Sequence, residues 1–161
     1  MLKLTGYSDS DHAGDMDDRK STTGMIFFLD DIPVSWQLQK QRVVAMSSCE
    51  AEYMAASTAA CQGVWLARLL GEMLNEEPVK PQLLVDNKSA ISLSKNPVFH
   101  DRSKHIEIRY HFIRECVEEG RNGIDYIRTS DQCADILTKA LGRLIFQELR
   151  KKIGMTDVTL K

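Results

Sequence analysis

The first forty residues alternate between apolar and polar positions with the period of two that is typical of β-strands. Three such segments cover residues 2–9, 22–29 and 32–39. Only an Asp-Asp pair at 30–31 separates the second segment from the third, which predicts a hairpin although no glycine is present. Pro33 suits an edge strand, because proline cannot donate a backbone hydrogen bond to a ladder. We therefore expect an antiparallel meander of three strands.

The period then changes to that of a helix. Ser47, followed three residues later by Glu50, forms a capping box and predicts a helix that begins just after Ser47. This helix can continue to about Leu74, before Pro78 ends it. One face of the helix combines small or apolar residues with a single acid: Glu52, Ala56, Ala59, Gly63, Leu66 and Leu70. Glu50 has a capping role, whereas Glu52 has no structural explanation.

The rest of the chain alternates strands with helices. Strands are predicted at residues 82–86 and 124–128, and helices at residues 87–93, 106–119 and 132–153. This order indicates an α/β fold with a mixed five-stranded sheet, in which three antiparallel strands precede parallel strands and helices flank both faces. No repeat or low-complexity linker interrupts residues 1–161, so we expect a single domain. The direct entry from Met1 into a strand favours a piece excised from a larger protein.

Composition narrows the class of protein. The 161 residues are 43% hydrophobic and 27% charged, as in ordinary globular proteins. No window reaches the roughly 18 consecutive apolar residues of a membrane span, and the four cysteines lack metal-ligand spacing. We therefore expect an intracellular protein with reduced thiols. The net charge of -2 neither indicates nor excludes a nucleic-acid partner, because clustered acids can mask small basic groups such as those at 19–20, 40–42 and 102–105.

Four acids occupy positions where a carboxylate is costly to bury. Asp9 ends the first strand and Asp86 ends the fourth, so they are expected at neighbouring strand ends. Glu52 lies in the packing stripe of the long helix, and Asp135 opens the last helix. A buried carboxylate needs a positive partner, and four together indicate divalent cations. Mg²⁺ prefers oxygen ligands, and two such ions held by carboxylates drive phosphodiester hydrolysis.

A series of collinear motifs covers the chain to about residue 145. The motifs are residues 7–15, 18–24, 34–36, 40–41, 47–53, 65–66, 86–91, 96–106 and 134–139. Through them the chain resembles the ribonuclease H domain of copia-type LTR retrotransposon polyproteins. The resemblance implies a ribonuclease H-like fold and an endonuclease that cleaves the RNA strand of RNA/DNA hybrids during reverse transcription.

The resemblance also implies a cofactor and roles for the acids. Two Mg²⁺ ions, with Mn²⁺ as a substitute, would be held by the family's catalytic acids, which match Asp9, Glu52, Asp86 and Asp135. In the family pattern Asp9 bridges both ions. Glu52 and Asp86 hold the ion on the leaving-group side, and Asp135 holds the ion that carries the attacking water. The implied partners are the hybrid and the reverse transcriptase domain of the same polyprotein, without a membrane, in the cytoplasmic virus-like particle of the element.

Recognition of a hybrid requires contacts that distinguish a ribose 2′-hydroxyl from deoxyribose. Ser10, Gly14 and Asn87 lie beside the candidate acids and are candidates for substrate contact. Nearby cations are candidates for the phosphates of the DNA strand, which position the substrate without reading sequence: Arg19, Lys20, Lys40 and Arg42. A further candidate set for phosphate contact is Arg102, Lys104 and His105.

Other polar and aromatic residues have simpler interpretations. Asp11 is expected to have a structural or loop role rather than to bind metal. The histidines lack zinc-ligand spacing and are interpreted as surface residues that form hydrogen bonds: His100, His105 and His111. Trp36 and Trp65 are predicted to pack in the core. Cellular ribonucleases H carry a histidine before the last aspartate that aids product release. Residues 129–132 lack it, so slower turnover or a substitute group is expected.

Three alternative functions share parts of this pattern. A DNA-directed nuclease or integrase-like enzyme of the same fold would carry the same acids and cut a different substrate. An inactive tether domain would have lost at least one of the acids, and all four are present. A generic α/β domain would carry these acids as surface charges, without binding Mg²⁺ or Mn²⁺.

Overall fold

The computed structural model describes residues 2–96, 106, 108–156 and 158. Within these residues the strands are β1 (Leu4–Asp11), β2 (Thr22–Leu29), β3 (Ile32–Lys40), β4 (Gln82–Val85) and β5 (Gly123–Tyr126). The α-helices are α1 (Ser48–Leu74), α2 (Lys88–Lys95), α3 (Phe112–Glu118), α4 (Asp135–Thr138) and α5 (Arg143–Lys152). Short 3₁₀ turns occur at Ile108–His111 and Thr129–Asp131. The basic group predicted at 102–105 lies outside the described residues.

The strands form one sheet in the order β3-β2-β1-β4-β5. β1 pairs antiparallel with β2 and parallel with β4, so it is the central strand. β2 pairs antiparallel with β3, and β4 pairs parallel with β5. The predicted α/β class and mixed five-stranded sheet are therefore confirmed, with Pro33 on an edge strand. Because β1 and β4 run in parallel, their carboxyl ends meet at one edge of the sheet.

Helix α1 packs on one face of the sheet. The Ser47 hydroxyl accepts a hydrogen bond from the backbone N–H of Glu50 at 3.1 Å, as the capping box predicts. The return bond is shifted by one residue, because the Glu50 carboxylate accepts from the N–H of Met46 at 3.1 Å. A Cβ on Gly63 would lie 3.2 Å from the ring of Phe27, so glycine at this position lets α1 approach β2 closely.

The C-terminal segment covers the opposite face. Its apolar cluster joins β2 to residues near α4 and after α5: Ile26, Phe28, Cys133, Ala134 and Ile153. Gly24 marks the closest approach of α4 to β2. A Cβ there would lie 2.5 Å from Cγ2 of Thr138 and 3.3 Å from the backbone oxygen of Ala134. Contacts that short are not tolerated in a packed interior, so α4 can rest on β2 only because residue 24 has no side chain.

The single helix predicted for residues 132–153 is wrong. The chain instead forms α4, leaves helical geometry at Lys139 (φ −127°, ψ 145°), and begins α5 after Gly142. The side chains of Thr138 and Lys139 turn to the carboxylate of Asp9. Contact with a buried charge outweighs the modest propensity to continue a helix, and glycine at 142 lowers that propensity further.

Three smaller predictions also need correction. Among the described residues of the helix predicted for 106–119, Ile108–His111 form a 3₁₀ turn and only Phe112–Glu118 is α-helical. Trp36 is 65% exposed, because it lies on the edge strand outside the area that the helices cover. Trp65 is 55% exposed, because it points away from the sheet on α1. Among the described residues, no helix is both long and apolar enough to cross a membrane.

Candidate active site

Acidic side chains from three separate segments meet at the carboxyl ends of β1 and β4. Asp9 lies near the end of β1, Asp86 directly follows β4, and Asp135 is the first residue of α4. One carboxylate oxygen from each of these residues lies within 4.8 Å of the other two. Asp9 and Asp135 are buried, and Asp86 is half-buried. The structure thus brings three of the predicted acids into one site.

Glu52 reaches the same site from α1. Its side chain is buried, and Oε1 accepts a hydrogen bond from the backbone N–H of Ser10 at 3.1 Å. Oε2 is also buried and has no hydrogen-bond partner among the described residues. Burial, followed by the charges of Asp9 and Asp86, raises the pKa of Glu52 to about 9. Glu52 therefore interacts electrostatically with the aspartates, although it is not one of the three with oxygens inside 4.8 Å.

Burial and like charge also perturb two of the aspartates. Burial, and then the charge of Asp9, raises the pKa of Asp86. Burial likewise raises the pKa of Asp135 to about 6, although the hydrogen bond from Lys139 acts in the opposite direction. Carboxylates this close together resist simultaneous ionisation unless a cation lies between them. The electrostatics therefore favour occupation of the site by positive charge.

Thr138 and Lys139 supply donors that the sequence analysis did not identify. The Thr138 hydroxyl donates to Oδ2 of Asp9. Nζ of Lys139 lies 3.0 Å from Oδ1 of Asp9 and 2.8 Å from Oδ1 of Asp135. Burial would lower the pKa of Lys139, but the Asp135 hydrogen bond and the charge of Asp9 raise it above its ordinary value. The sequence does contain a signal for the second of these donors. Lys139 follows Asp135 by four residues, and residues four apart share one side of a helix.

The predicted phosphate contacts lie in and beside the loop between β1 and β2. Nζ of Lys40 lies 2.6 Å from Asp15 and 2.8 Å from Asp18, so this lysine is already paired. Nζ of Lys20 lies 3.8 Å from Asp18. The arginines of the predicted set are exposed and form no ion pair among the described residues: Arg19 and Arg42.

The predicted contacts to sugar have different local surroundings. Ser10 is buried, and its hydroxyl accepts from Nε2 of Gln41 at 3.4 Å, so direct contact with a substrate does not fit its placement. Asn87 caps α2 by accepting a backbone hydrogen bond at 2.9 Å, and it lies half-buried next to Asp86. Gly14 is exposed in the loop after β1.

The remaining polar candidates have structural partners. The Asp11 carboxylate accepts from the backbone N–H of Thr22, which is the loop-stabilising role expected for it. Nδ1 of His111 lies 2.8 Å from the hydroxyl of Tyr53, in agreement with a hydrogen-bonding histidine. His100 and His105 lie outside the described residues.

The donor set fits a hard divalent cation. Asp9, Glu52, Asp86 and Asp135 offer oxygen atoms alone, which is the ligand type of Mg²⁺ and Mn²⁺. The buried Oε2 of Glu52, which has no hydrogen-bond partner among the described residues, is an acceptor still available to such an ion. A carboxylate cluster of this kind can support metal-assisted hydrolysis.

Comparison with solved structures identifies the fold. The N-terminal ribonuclease H domain of a Mycobacterium tuberculosis protein superposes with a TM-score of 0.58 over 94% of this chain and 98% of that chain, at 12% identity. The protease-reverse transcriptase of prototype foamy virus gives a TM-score of 0.51 over 97% of this chain and 21% of that chain, at 8% identity. The protein therefore has a ribonuclease H-like fold.

Sequence relatives identify the family more closely. The Pol polyprotein of transposon RE1 from Arabidopsis thaliana is 45% identical over 157 residues, which are 98% of this chain and 11% of the polyprotein. The corresponding polyprotein of transposon TNT 1-94 from Nicotiana tabacum is 43% identical over 94% of this chain and 11% of its own length. No protein-family model matches the chain. The chain belongs to the copia-type, retrovirus-related Pol polyproteins and spans about a tenth of the length of these relatives.

Proposed function

We propose that this protein is a metal-dependent endonuclease that hydrolyses the RNA strand of RNA/DNA hybrids during reverse transcription of a retrotransposon. The observation that carries the proposal is the convergence of Asp9, Asp86 and Asp135 within 4.8 Å, beside the buried carboxyl of Glu52, whose pKa the charges of Asp9 and Asp86 raise. Membership in Pol polyproteins supports this choice among the nucleases that share the fold. The activity would operate inside the cell, in the particle that contains the reverse transcriptase domain.

The four acids would hold two Mg²⁺ ions, which supply an activated water and offset the charge that develops on the scissile phosphate. Without metal, both oxygens of Asp9 accept hydrogen bonds, one from Thr138 and one from Lys139. The Ser10 N–H fixes Oε1 of Glu52. The chain thus positions its ligands through contacts from several segments, and no side-chain nucleophile or covalent intermediate is needed.

Substrate contact would come from residues around the acids. Asn87 and Gly14 remain the proposed contacts to sugar, because one adjoins Asp86 and the other lies exposed after β1. Arg19 and Arg42 are the exposed cations proposed for phosphates of the DNA strand. Lys20 and Lys40 are paired with acids of the loop. They would bind phosphates of the DNA strand only after leaving these acidic partners.

The direct test is cleavage of labelled substrates. An RNA/DNA hybrid, duplex DNA and duplex RNA of one sequence are incubated with the protein and Mg²⁺ or Mn²⁺. We expect fragments of the RNA strand from the hybrid alone, and none when a chelator is present. Cleavage of duplex DNA with the hybrid left intact would favour the DNA-directed alternative. Absence of metal binding and of cleavage would favour an inactive tether domain.

Replacement of one metal ligand provides a sharper test. Asp86→Asn keeps the shape of the side chain and removes its charge, so hybrid cleavage should fall by about a hundredfold or more. The free energy of unfolding without metal should not fall, because Asp86 repels Asp9 and Glu52. The matched control is Asp31→Asn, an exposed residue just beyond the end of β2 opposite the site. Retained cleavage in Asp86→Asn would remove Asp86 from the site.

A further inference from the structure

The end of α4 places a lysine ammonium among the candidate metal ligands. Nζ of Lys139 lies 3.0 Å from Asp9 and 2.8 Å from Asp135, and both of these residues belong to the group of oxygens within 4.8 Å. The adjacent Thr138 donates to the other oxygen of Asp9. Both oxygens of the central carboxylate therefore have donors from one dipeptide.

This ammonium and a divalent ion require the same oxygens. A Mg²⁺ ion binds carboxylate oxygen at about 2.0–2.1 Å and demands near-octahedral geometry. An ammonium that bridges Asp9 and Asp135 through their Oδ1 atoms occupies part of that coordination space. The Lys139 ammonium and a divalent ion at the same oxygens would also repel each other strongly. Lys139 and the metal therefore exclude each other at these oxygens.

We propose that Lys139 is a resident counter-ion of the acidic site, which neutralises Asp9 and Asp135 without metal and leaves them when a divalent cation binds. The proposal rests on the proposed function in one respect, namely that the cation uses these carboxylates. Lys139 consequently sets the metal affinity of the site by competition. Positive charge is present in the site in both states, supplied either by the lysine or by the ion.

The local backbone allows this exchange. Lys139 ends α4 in an extended conformation, and its side chain is 35% exposed, so a path to solvent exists. The four-carbon stem of lysine is flexible and its ammonium is a compact charge that hydrates readily. The segment that follows is exposed, and nothing lies within 4 Å of a Cβ built on Gly142. The ammonium can therefore leave the carboxylates towards solvent.

The first experiment measures metal binding without any substrate. Mn²⁺ and Mg²⁺ are titrated into metal-free protein by calorimetry for the wild type, Lys139→Met and Lys139→Arg. Removal of the competing charge should tighten binding by about five- to tenfold in Lys139→Met, whereas Lys139→Arg should remain near the wild type. The matched control is Lys95→Met, which removes an exposed lysine paired with Asp125 at 3.7 Å and tests for a general charge effect.

Unchanged or weaker metal binding in Lys139→Met, or equal tightening in Lys95→Met, would overturn the proposal. Circular dichroism establishes that each variant is folded, and Lys139→Gln replaces Lys139→Met if the latter is not. The result is independent of catalysis. If the wild type cleaves a hybrid but Lys139→Met binds metal no more tightly, the counter-ion proposal is rejected and the nuclease proposal stands. If Lys139→Met binds metal more tightly but the wild type cleaves no hybrid, the nuclease proposal is rejected and the counter-ion proposal stands.

The second experiment uses the unaltered protein. Lysines are acetylated briefly with an amine-specific reagent in the presence and absence of saturating Mg²⁺, and modification at each lysine is quantified by mass spectrometry. Release from two carboxylates should increase the labelling rate of Lys139, whereas the rate at Lys95 should stay constant. A rate at Lys139 that stays constant or falls on addition of Mg²⁺ would contradict its departure from the site.

Discussion

Burial, reinforced by like charge, dominates the energetics of individual carboxyl groups in the site. Burial, and then the charges of Asp9 and Asp86, raises the pKa of Glu52 to about 9. Asp135 follows with a pKa of about 6, again through burial first. Lys139 supplies one positive charge to this group of acids. Without metal, the folded protein therefore holds protons that an unfolded chain would release at neutral pH.

This proton uptake predicts a pH dependence of stability. A carboxyl whose pKa is raised on folding contributes full stability below its unfolded pKa, and the contribution is lost as pH rises towards the folded value. Because the pKa values of Glu52 and Asp135 are raised, the free energy of unfolding without metal should fall between about pH 5 and pH 9. Melting temperatures measured with a chelator should decrease over this interval by roughly 5–10 °C.

Glu52→Gln tests which group is responsible. The neutral amide removes the charge that is costly to bury, so the metal-free variant should melt higher than the wild type at pH 8, with a flatter pH profile. Glu72→Gln, an exposed position on the same helix, serves as the control and should follow the wild type. A wild-type slope in Glu52→Gln would show that other groups take up the protons. Saturating Mg²⁺ should reduce the wild-type slope, since metal binds the ionised form.

At the scale of elements, local signals and tertiary contacts differ in what the sequence reveals. Helix α1 was predicted almost to the residue, because a cap, a long apolar period and a proline stop all coincide. The end of α4 was not predicted, because its geometry depends on Asp9, which lies about 130 residues earlier in the chain. Trp36 was misplaced because the alternation along β3 does not show that the face carrying Val34, Trp36 and Leu38 is left exposed. Period and capping therefore predict elements, but not the packing that interrupts or exposes them.

The approach of α4 to β2 should control the geometry of the site. Gly24 pairs with Asp9 in the sheet, and a Cβ on Gly24 would meet Thr138 at 2.5 Å. Gly24→Ala should therefore push the end of α4 outward, reduce the free energy of unfolding by about 1–3 kcal/mol, and lower hybrid cleavage by about tenfold or more. Urea unfolding and a cleavage assay measure the two effects.

Gly142→Ala is the matched control for that substitution, because a Cβ there meets nothing within 4 Å. It should change the free energy of unfolding by less than about 1 kcal/mol. Equal effects of the two glycine substitutions would show that α4 tolerates displacement and that its contact with β2 does not position the acids.

At the scale of the whole molecule, the site joins segments that are far apart in the chain. The acids were predicted from their positions at strand ends and in helices, and from motifs shared with a known family. The fold brings Asp9, Asp86 and Asp135 together because β1 and β4 are adjacent and α4 crosses β2. The donors Thr138 and Lys139 were not found, since their role depends on that same assembly. The topology of the sheet was thus predictable from the hydrophobic pattern, whereas the pairing of Lys139 with Asp9 and Asp135 was not.

The position of Asp9 on the central strand has a consequence for local opening. β1 is bonded on both sides and should exchange its amide hydrogens only when the whole domain unfolds, whereas α4 has four residues and cannot persist alone. The amides of Leu137 and Lys139 should therefore exchange with deuterium much faster than that of Tyr7, as amide-resolved NMR would measure. Heating would then detach Asp135 first, and the proposed hydrolysis would be lost several degrees below the melting of the sheet that still carries Asp9.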